Sequence, residues 1–231
     1  VFLLILRVKV AESFMFESAK LENIQKGNFF MFLNNKKRFS KYIKAILIGL
    51  PTWFVIGVLV NYSNKFATAN YGENLIDSGR SVMFAYVGIA TGDLIIGYVS
   101  QYFKSRKKAM WLFYAITVFA MLLFFALPIQ HASGMYAVCA LLGFGTGFWA
   151  IFVTMAAEQF GTNLRATATT TIPNMVRGSL PLMLLLFTFL QDYTPYINAA
   201  IITGIIVMTL SAIALYFMKE TFARDLDFIE E

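Results

Sequence analysis

ATGDLIIGYVSQYFKSRKK, residues 90–108, is an apolar stretch that carries a single acid, Asp93, and closes in four cations, Lys104, Arg106, Lys107 and Lys108. Its pattern predicts a helix that ends near Phe103 in a short basic loop. Asp93 precedes that end by ten residues. At a rise of about 1.5 Å per residue the acid lies ~15 Å deep, close to the middle of a bilayer core about 30 Å thick. A membrane depth and an orientation for the whole chain follow from this one segment.

The composition agrees with that depth. Hydrophobic residues make up 58% of the 231 residues and charged residues 14%, against about 25% charged in an ordinary soluble domain. The net charge of +6 raises nucleic-acid binding as a possibility, but the cations sit in short segments between apolar runs, without a basic face or interleaved stacking aromatics, so no nucleic-acid partner is expected. The single cysteine, Cys139, lies inside an apolar run, which leaves neither an intramolecular disulfide nor a cysteine-based metal framework.

Outward from the opening segment, apolar runs recur at about 42–62, 80–103, 109–128, 134–158, 168–190 and 195–218. Each is long enough to span a bilayer, so the expected fold class is an all-α membrane protein with six transmembrane helices. Upstream, residues 1–10 hold six apolar residues before Arg7. That run is too short to span and lacks signal-peptide organisation; it is expected to be the end of a truncated transmembrane helix, with a short natural beginning as the alternative. Residues 11–41 are polar, with aromatics at Phe14, Phe16, Phe29, Phe30 and Phe32 and cations at Lys36, Lys37, Arg38 and Lys41. They read as a connector with an interfacial helix; lipid recognition by its cations is the alternative. Residues 42–231 then form the six-helix bundle and its tail.

Alternating loops give the orientation. Sixteen of the 19 Lys and Arg residues fall on one side, and only Lys65 and Arg80 on the other, with Arg177 inside a span. The basic side is expected to be cytoplasmic, which puts the connector, the 103–108 loop and the C-terminus there, in a plasma or inner membrane.

Ionisable groups inside a span are costly and mark candidate functional sites. Two lie deep, Asp93 and Arg177. With the fifth span starting near Thr167, Arg177 is about ten residues in, matching the depth of Asp93. Thr170, Asn174, Arg177 and Pro181 share one helical face, as do Asp93, Gly97 and Gln101. Three readings are open: a static ion pair, a protonatable coupling acid beside a substrate-contacting arginine, or no contact between the two. Trp149, well inside its span, and Trp53 offer flat amphipathic surfaces for a solute, with interface belts as the alternative. Glu158 and Arg165 bracket a loop on the basic side. With Arg106, Lys107 and Lys108 they are expected to form a gating ion network, or else a solvated face. Pro51, Pro173 and Pro181 mark bends whose freed carbonyls either face a cavity or belong to simple kinks. Small residues Gly88, Gly92, Gly143, Gly145, Gly147 and Gly178 suggest close helix packing. No phosphate-cradling glycine loop, metal-ligand spacing or nucleophile elbow occurs, which disfavours an enzyme; no cofactor and no metal site is expected.

Four segments carry a family resemblance. GYVSQYFKSRKK at 97–108 resembles the signature loop between the eighth and ninth helices of major facilitator superfamily transporters; Gly97 matches, Gln101 replaces an acid, and Lys104 stands where a glycine is usual. Arg7 with Glu12, Ser13 and Phe16 resembles the segment after the sixth helix. Glu158-Gln159-Phe160 with Arg165 resembles the loop between the tenth and eleventh, and Lys219-Glu220-Thr221 through Leu226 and Glu230 the C-terminal tail of the sugar and metabolite porter branch. The resemblance implies helices seven to twelve of a twelve-helix transporter, a substrate site shared with a missing N-terminal six-helix half, and alternating access. Proton-coupled uptake of a small polar solute, such as a sugar or organic acid, is the function expected. An exporter of the same fold, or a non-transporting membrane sensor or scaffold, is the alternative.

Overall fold

A computed structural model describes residues 27–71, 76–126, 131–225 and 227–230. The expected helix stub at 1–10, and the connector as far as residue 26, lie outside the described residues. The described residues form nine α-helices: α1 (Lys36–Phe54), α2 (Ser63–Tyr71), α3 (Ser78–Phe103), α4 (Arg106–Ala126), α5 (Ala132–Thr146), α6 (Trp149–Ala157), α7 (Thr162–Gly178), α8 (Leu180–Gln191) and α9 (Tyr196–Phe217). They make six membrane-capable spans, Lys36–Val60, Ser78–Phe103, Arg106–Ala126, Ala132–Glu158, Thr162–Gln191 and Tyr196–Phe217. No strand occurs among the described residues.

The first span begins six residues earlier than its apolar run because Asn35 caps it, its side chain accepting a hydrogen bond from Lys37 N at 2.8 Å. Lysines at a helix end extend their stems along the apolar surface and keep their ammonium groups in water, so hydropathy understates such a start. The interfacial helix expected in the connector does not fall in 27–35, which holds one 3-10 turn, Phe29–Phe32. Phe32 is fully buried there, stacked on Tyr42 at 4.7 Å and edge-on to Phe160 at 4.9 Å.

Pro51 has no N–H, which orphans the carbonyl of Leu47 one turn earlier. Ser211 Oγ on α9 donates to that carbonyl at 2.7 Å, and Tyr114 Oη on α4 donates to the neighbouring Ile48 carbonyl at 2.6 Å. The freed carbonyl therefore faces the core, and the proline ties α1 to two other spans. Beyond it α1 continues as a π-helix, Val55–Val60, a winding common where a helix adapts to a site.

Two other spans are interrupted. The fourth breaks at Gly147-Phe148 between α5 and α6, and the fifth at Ser179 between α7 and α8, where Pro181 occupies the first turn of the new helix. Proline suits that position because its N–H would have no intrahelical partner anyway.

The densest contact joins α3 to α5. On α3, Ser81, Ala85, Gly88, Gly92, Ile96 and Ser100 form the buried face. A β-carbon on Gly88 would collide with the Ala140 carbonyl, one on Gly143 with the Ala85 carbonyl, and one on Gly92 would lie 2.5 Å from the Phe144 carbonyl. Small residues let the backbones touch, which is what holds helices together when lipid removes the hydrophobic drive. The first span has 72% of its apolar window buried, whereas the second and fifth have only 22% each. Those two spans therefore present broad open surfaces, on which Gln101, Thr170, Asn174 and Arg177 are exposed.

α3 ends at Lys104, whose φ of 48° and ψ of 39° are left-handed, with Ser105 N bonding back to the Ser100 carbonyl at 3.2 Å. This is why glycine is usual there: a β-carbon in that region costs roughly 1–2 kcal/mol. Lys104→Gly is expected to raise the melting temperature in detergent by relieving about 1 kcal/mol. Gly143→Val should destabilise by ~3 kcal/mol or more, while Gly178→Ala, with nothing within 4 Å of the added carbon, should be tolerated. Thermal unfolding of the three purified variants checks the ranking.

Candidate functional site

A cavity of about 150 Å³ is lined by Thr52, Trp53 and Ile56 of the first span, Tyr86, Ile89 and Asp93 of α3, Trp149 of α6 and Arg177 of α7. Each wall is placed by a feature already described. The π-helical winding follows Trp53, the α5–α6 break sets Trp149 at the first position of a new helix, and the glycine contact holds α3 against that break.

Asp93 and Arg177 line this cavity together but do not form an ion pair. Asp93 Oδ1 accepts the backbone N–H of Ala150 at 2.9 Å, which puts the carboxylate at the N-terminus of α6, where unpaired backbone donors and the helix dipole stabilise negative charge. Arg177 Cζ lies 5.7 Å from the Trp53 ring centroid and 5.9 Å from that of Trp149, and the two rings meet edge-on at 6.4 Å. Among the described residues its one side-chain hydrogen bond is a long one, Nη1 to Asn174 Oδ1 at 3.5 Å. The static ion pair is thus replaced by two separately held charges, one on a helix N-terminus and one between indole faces. α7 starts at Thr162, five residues before the start on which the depth match rested, yet both groups reach the same cavity.

Thr170, Asn174, Arg177 and Pro181 are all exposed on one face of the fifth span, and Gln101 is exposed on α3. Thr170 donates back to the carbonyls of Ala166 and Thr167 within its own helix and lies outside the cavity wall. Trp53, for which an interface belt is the alternative, lines the cavity. Its ring faces Arg177 at the cavity, while its indole N–H is buried with no acceptor among the described residues. A larger groove of about 530 Å³ runs between α4 and α9. It is lined by Trp111, Val118, Leu122, Met208 and other mainly apolar side chains, as expected of a surface facing lipid.

At the basic end, Arg106 Nη2 pairs with Glu158 Oε1 at 3.2 Å, and Arg106 Nη1 reaches Ser100 Oγ at 3.4 Å. Arg165 lies in the field of Glu158 and Asp227. Lys107 departs from the expected network, because its ammonium bonds to the Tyr216 carbonyl at 2.8 Å. Lys108 is exposed and contributes its backbone N–H to Ser105 Oγ at 3.1 Å.

The organising acid at this end is Glu220, which the sequence marked only as part of a tail motif. Its carboxylate accepts the backbone N–H groups of Arg106 at 3.0 Å and Lys107 at 3.2 Å, and the Ser105 hydroxyl. It therefore caps α4 from the far end of the chain. The tail continues across the helix ends. Thr162 N donates to the Phe228 carbonyl at 2.8 Å, Asn163 clasps the Glu230 backbone, and Glu230 Oε1 pairs with Lys41 at 2.7 Å.

Six spans, interrupted helices and a charged cavity on an open face define a membrane-transport bundle. Residues 1–180 match the family model of the Major Facilitator Superfamily, and the chain belongs to that family: it is an integral, multi-pass membrane protein of a transporter family, not of an enzyme family. No curated protein matches the chain.

Burial alone would raise the Glu220 carboxyl, but the hydrogen bonds from Ser105, Phe222, Thr221 and Lys107 hold it below its ordinary value of 4.5. A depressed carboxyl stabilises fully above that ordinary value, and the stabilisation is lost as pH falls through the lower folded value. Glu220→Gln is therefore expected to lower the melting temperature near neutral pH, by about 1 kcal/mol of lost capping. The gap to wild type should close on acidification below pH 4.5, as read by parallel thermal melts.

Proposed function

We propose that this chain forms the C-terminal half of a proton-coupled importer of a polar solute, completed by an N-terminal six-helix half and working by alternating access. The supporting observation is that Asp93 and Arg177 line one cavity without neutralising each other. Two charges held apart at a shared cavity leave each able to meet a mobile partner, a proton for the acid and solute for the arginine.

The coupling runs through α6. A proton on Asp93 removes the anionic cap from Ala150 N, which weakens the start of a nine-residue helix. Trp149 is the first residue of that helix and one of the two rings against Arg177. Protonation is thus transmitted to the guanidinium by loosening an aromatic wall, and no direct attraction between the two charges is needed. The sugar and metabolite porter branch agrees with the tail and loop motifs of the sequence. Under the positive-inside rule the basic end is cytoplasmic, so the Arg106–Glu158 pair holds the cytoplasmic helix ends together in one state and releases them in the other.

The test uses the full-length transporter in proteoliposomes, with uptake of radiolabelled sugars and carboxylates driven by an imposed pH gradient. Asp93→Asn is expected to abolish accumulation above the external concentration while sparing solute exchange at equal pH. Accumulation by the variant equal to wild type would rule out the coupling role of Asp93.

A further inference from the structure

Resting on that reading of the cavity, we infer that the solute is a monoanion bearing a planar carboxylate on an apolar or aromatic body, carried with one proton in an electroneutral cycle. Of the two charges in the cavity, one is already compensated and the other is not.

Asp93 is compensated. Its carboxylate takes the Ala150 N–H at 2.9 Å and sits at the positive end of α6, so a solute ammonium there would compete with an interaction already made. Arg177 is not compensated. No carboxylate pairs with it among the described residues; its neighbours are two indole rings and one amide oxygen at 3.5 Å. Contacts with aromatic faces screen a guanidinium weakly and leave its N–H groups available, and that planar array of donors matches a carboxylate in two parallel hydrogen bonds. The net unmet demand of the cavity is for acceptors.

The same wall limits the charge of the solute. Among the described residues Asp93, Arg177 and Tyr86 are the titratable groups lining the cavity, so on this half of the site a dianion would meet one cation and the repulsion of Asp93. A monoanion neutralises Arg177 and leaves Asp93 to its helix or to a proton. Trp53, Trp149, Ile56 and Ile89 supply the apolar surface for the remainder of the solute. The charge count then follows. The empty cavity, with one arginine and one ionised aspartate, is neutral. The loaded cavity, with a carboxylate on the arginine and a proton on the aspartate, is neutral as well. Both directions of the cycle move no net charge, and the membrane potential does no work on either.

Proteoliposomes of the full-length transporter are assayed with radiolabelled lactate, benzoate and nicotinate, with succinate as a dianion, and with glucose and benzamide as neutral probes. One or more of the three monocarboxylates is expected to be taken up with an inward proton gradient, at a rate unchanged when potassium and valinomycin clamp the potential to either sign. Benzamide and glucose should be inert. Arg177→Gln should weaken the apparent affinity for the transported monocarboxylate on the order of tenfold to a hundredfold, with Arg177→Lys between it and wild type. Thermal stabilisation by the same probes reports binding where a variant no longer transports. Proton-coupled uptake of glucose, succinate or benzamide with none of the monocarboxylates would overturn this inference while leaving proton coupling through Asp93 standing. Monocarboxylate uptake that is indifferent to Arg177→Gln, uptake that follows the clamped potential, or failure of all three monocarboxylates to bind or move would overturn it too. Loss of proton coupling alone in wild type would instead count against the transport mechanism on which it rests.

Discussion

The direct backbone contact of α3 with α5, made possible by Gly88, Gly92, Gly143 and Gly147, is the constraint on which the cavity depends. In lipid there is no hydrophobic drive between helices, so affinity has to come from close approach. That approach has a positional consequence. A β-carbon on Gly147 would lie 2.7 Å from Gly92 Cα and 3.0 Å from Asp93 N, so the chain break after α5 is pressed against the turn of α3 that carries the acid. The first donors of α6 emerge there, and Asp93 meets them. Without the glycines, the acid would sit a side chain's width further from the helix it caps.

The two deep charges show how a membrane protein can hold ionisable groups without pairing them. A direct ion pair would offset much of the cost of both charges, but it would also occupy both. Here the negative charge is spread over helix donors and the positive charge over aromatic faces and an amide. Each interaction is weaker than a buried salt bridge, and the guanidinium, held by rings and one long amide contact, is the less satisfied of the two. The location of Trp149 links them, because the residue that packs on the guanidinium is one position before the residue that donates to the carboxylate.

Legibility in the sequence followed physical range. Apolar length reported all six spans, four to within three residues at each end and two with starts six residues late, because bilayer thickness imposes it directly. The starts at Lys36 and Thr162 lay beyond the apolar runs since polar first turns are set by capping and by side chains reaching water, which hydropathy does not record. Depth arithmetic named Asp93 and Arg177 together but carried no information on the rotation of each helix, so it could not separate an ion pair from two charges on one cavity. Glu220 was invisible as a helix cap because its partners, Ser105 to Lys107, are more than a hundred residues away along the chain. Lys104 was the reverse case: a departure from a glycine position was readable at once, and its left-handed backbone explains the glycine.

The C-terminal segment bears on the gating proposed for the basic end. Glu220 fixes the start of α4, and Phe228 and Glu230 fix the start of α7 and the Lys41 turn of α1. Gln159 Nε2 adds a bond to the Lys219 carbonyl at 2.8 Å, so the loop between α6 and α7 is held by the same strap. Separation of these helix ends cannot proceed by breaking the Arg106–Glu158 pair alone. Either the strap travels with α4, surrendering Lys41 and Asn163, or it stays on α1 and α7, uncapping α4. The second path exposes three donors at a helix N-terminus, whereas the first breaks one partly exposed ion pair and a short set of neutral bonds. In the proposed gating the first is therefore the cheaper motion, one in which α4 and the tail would move as a single unit.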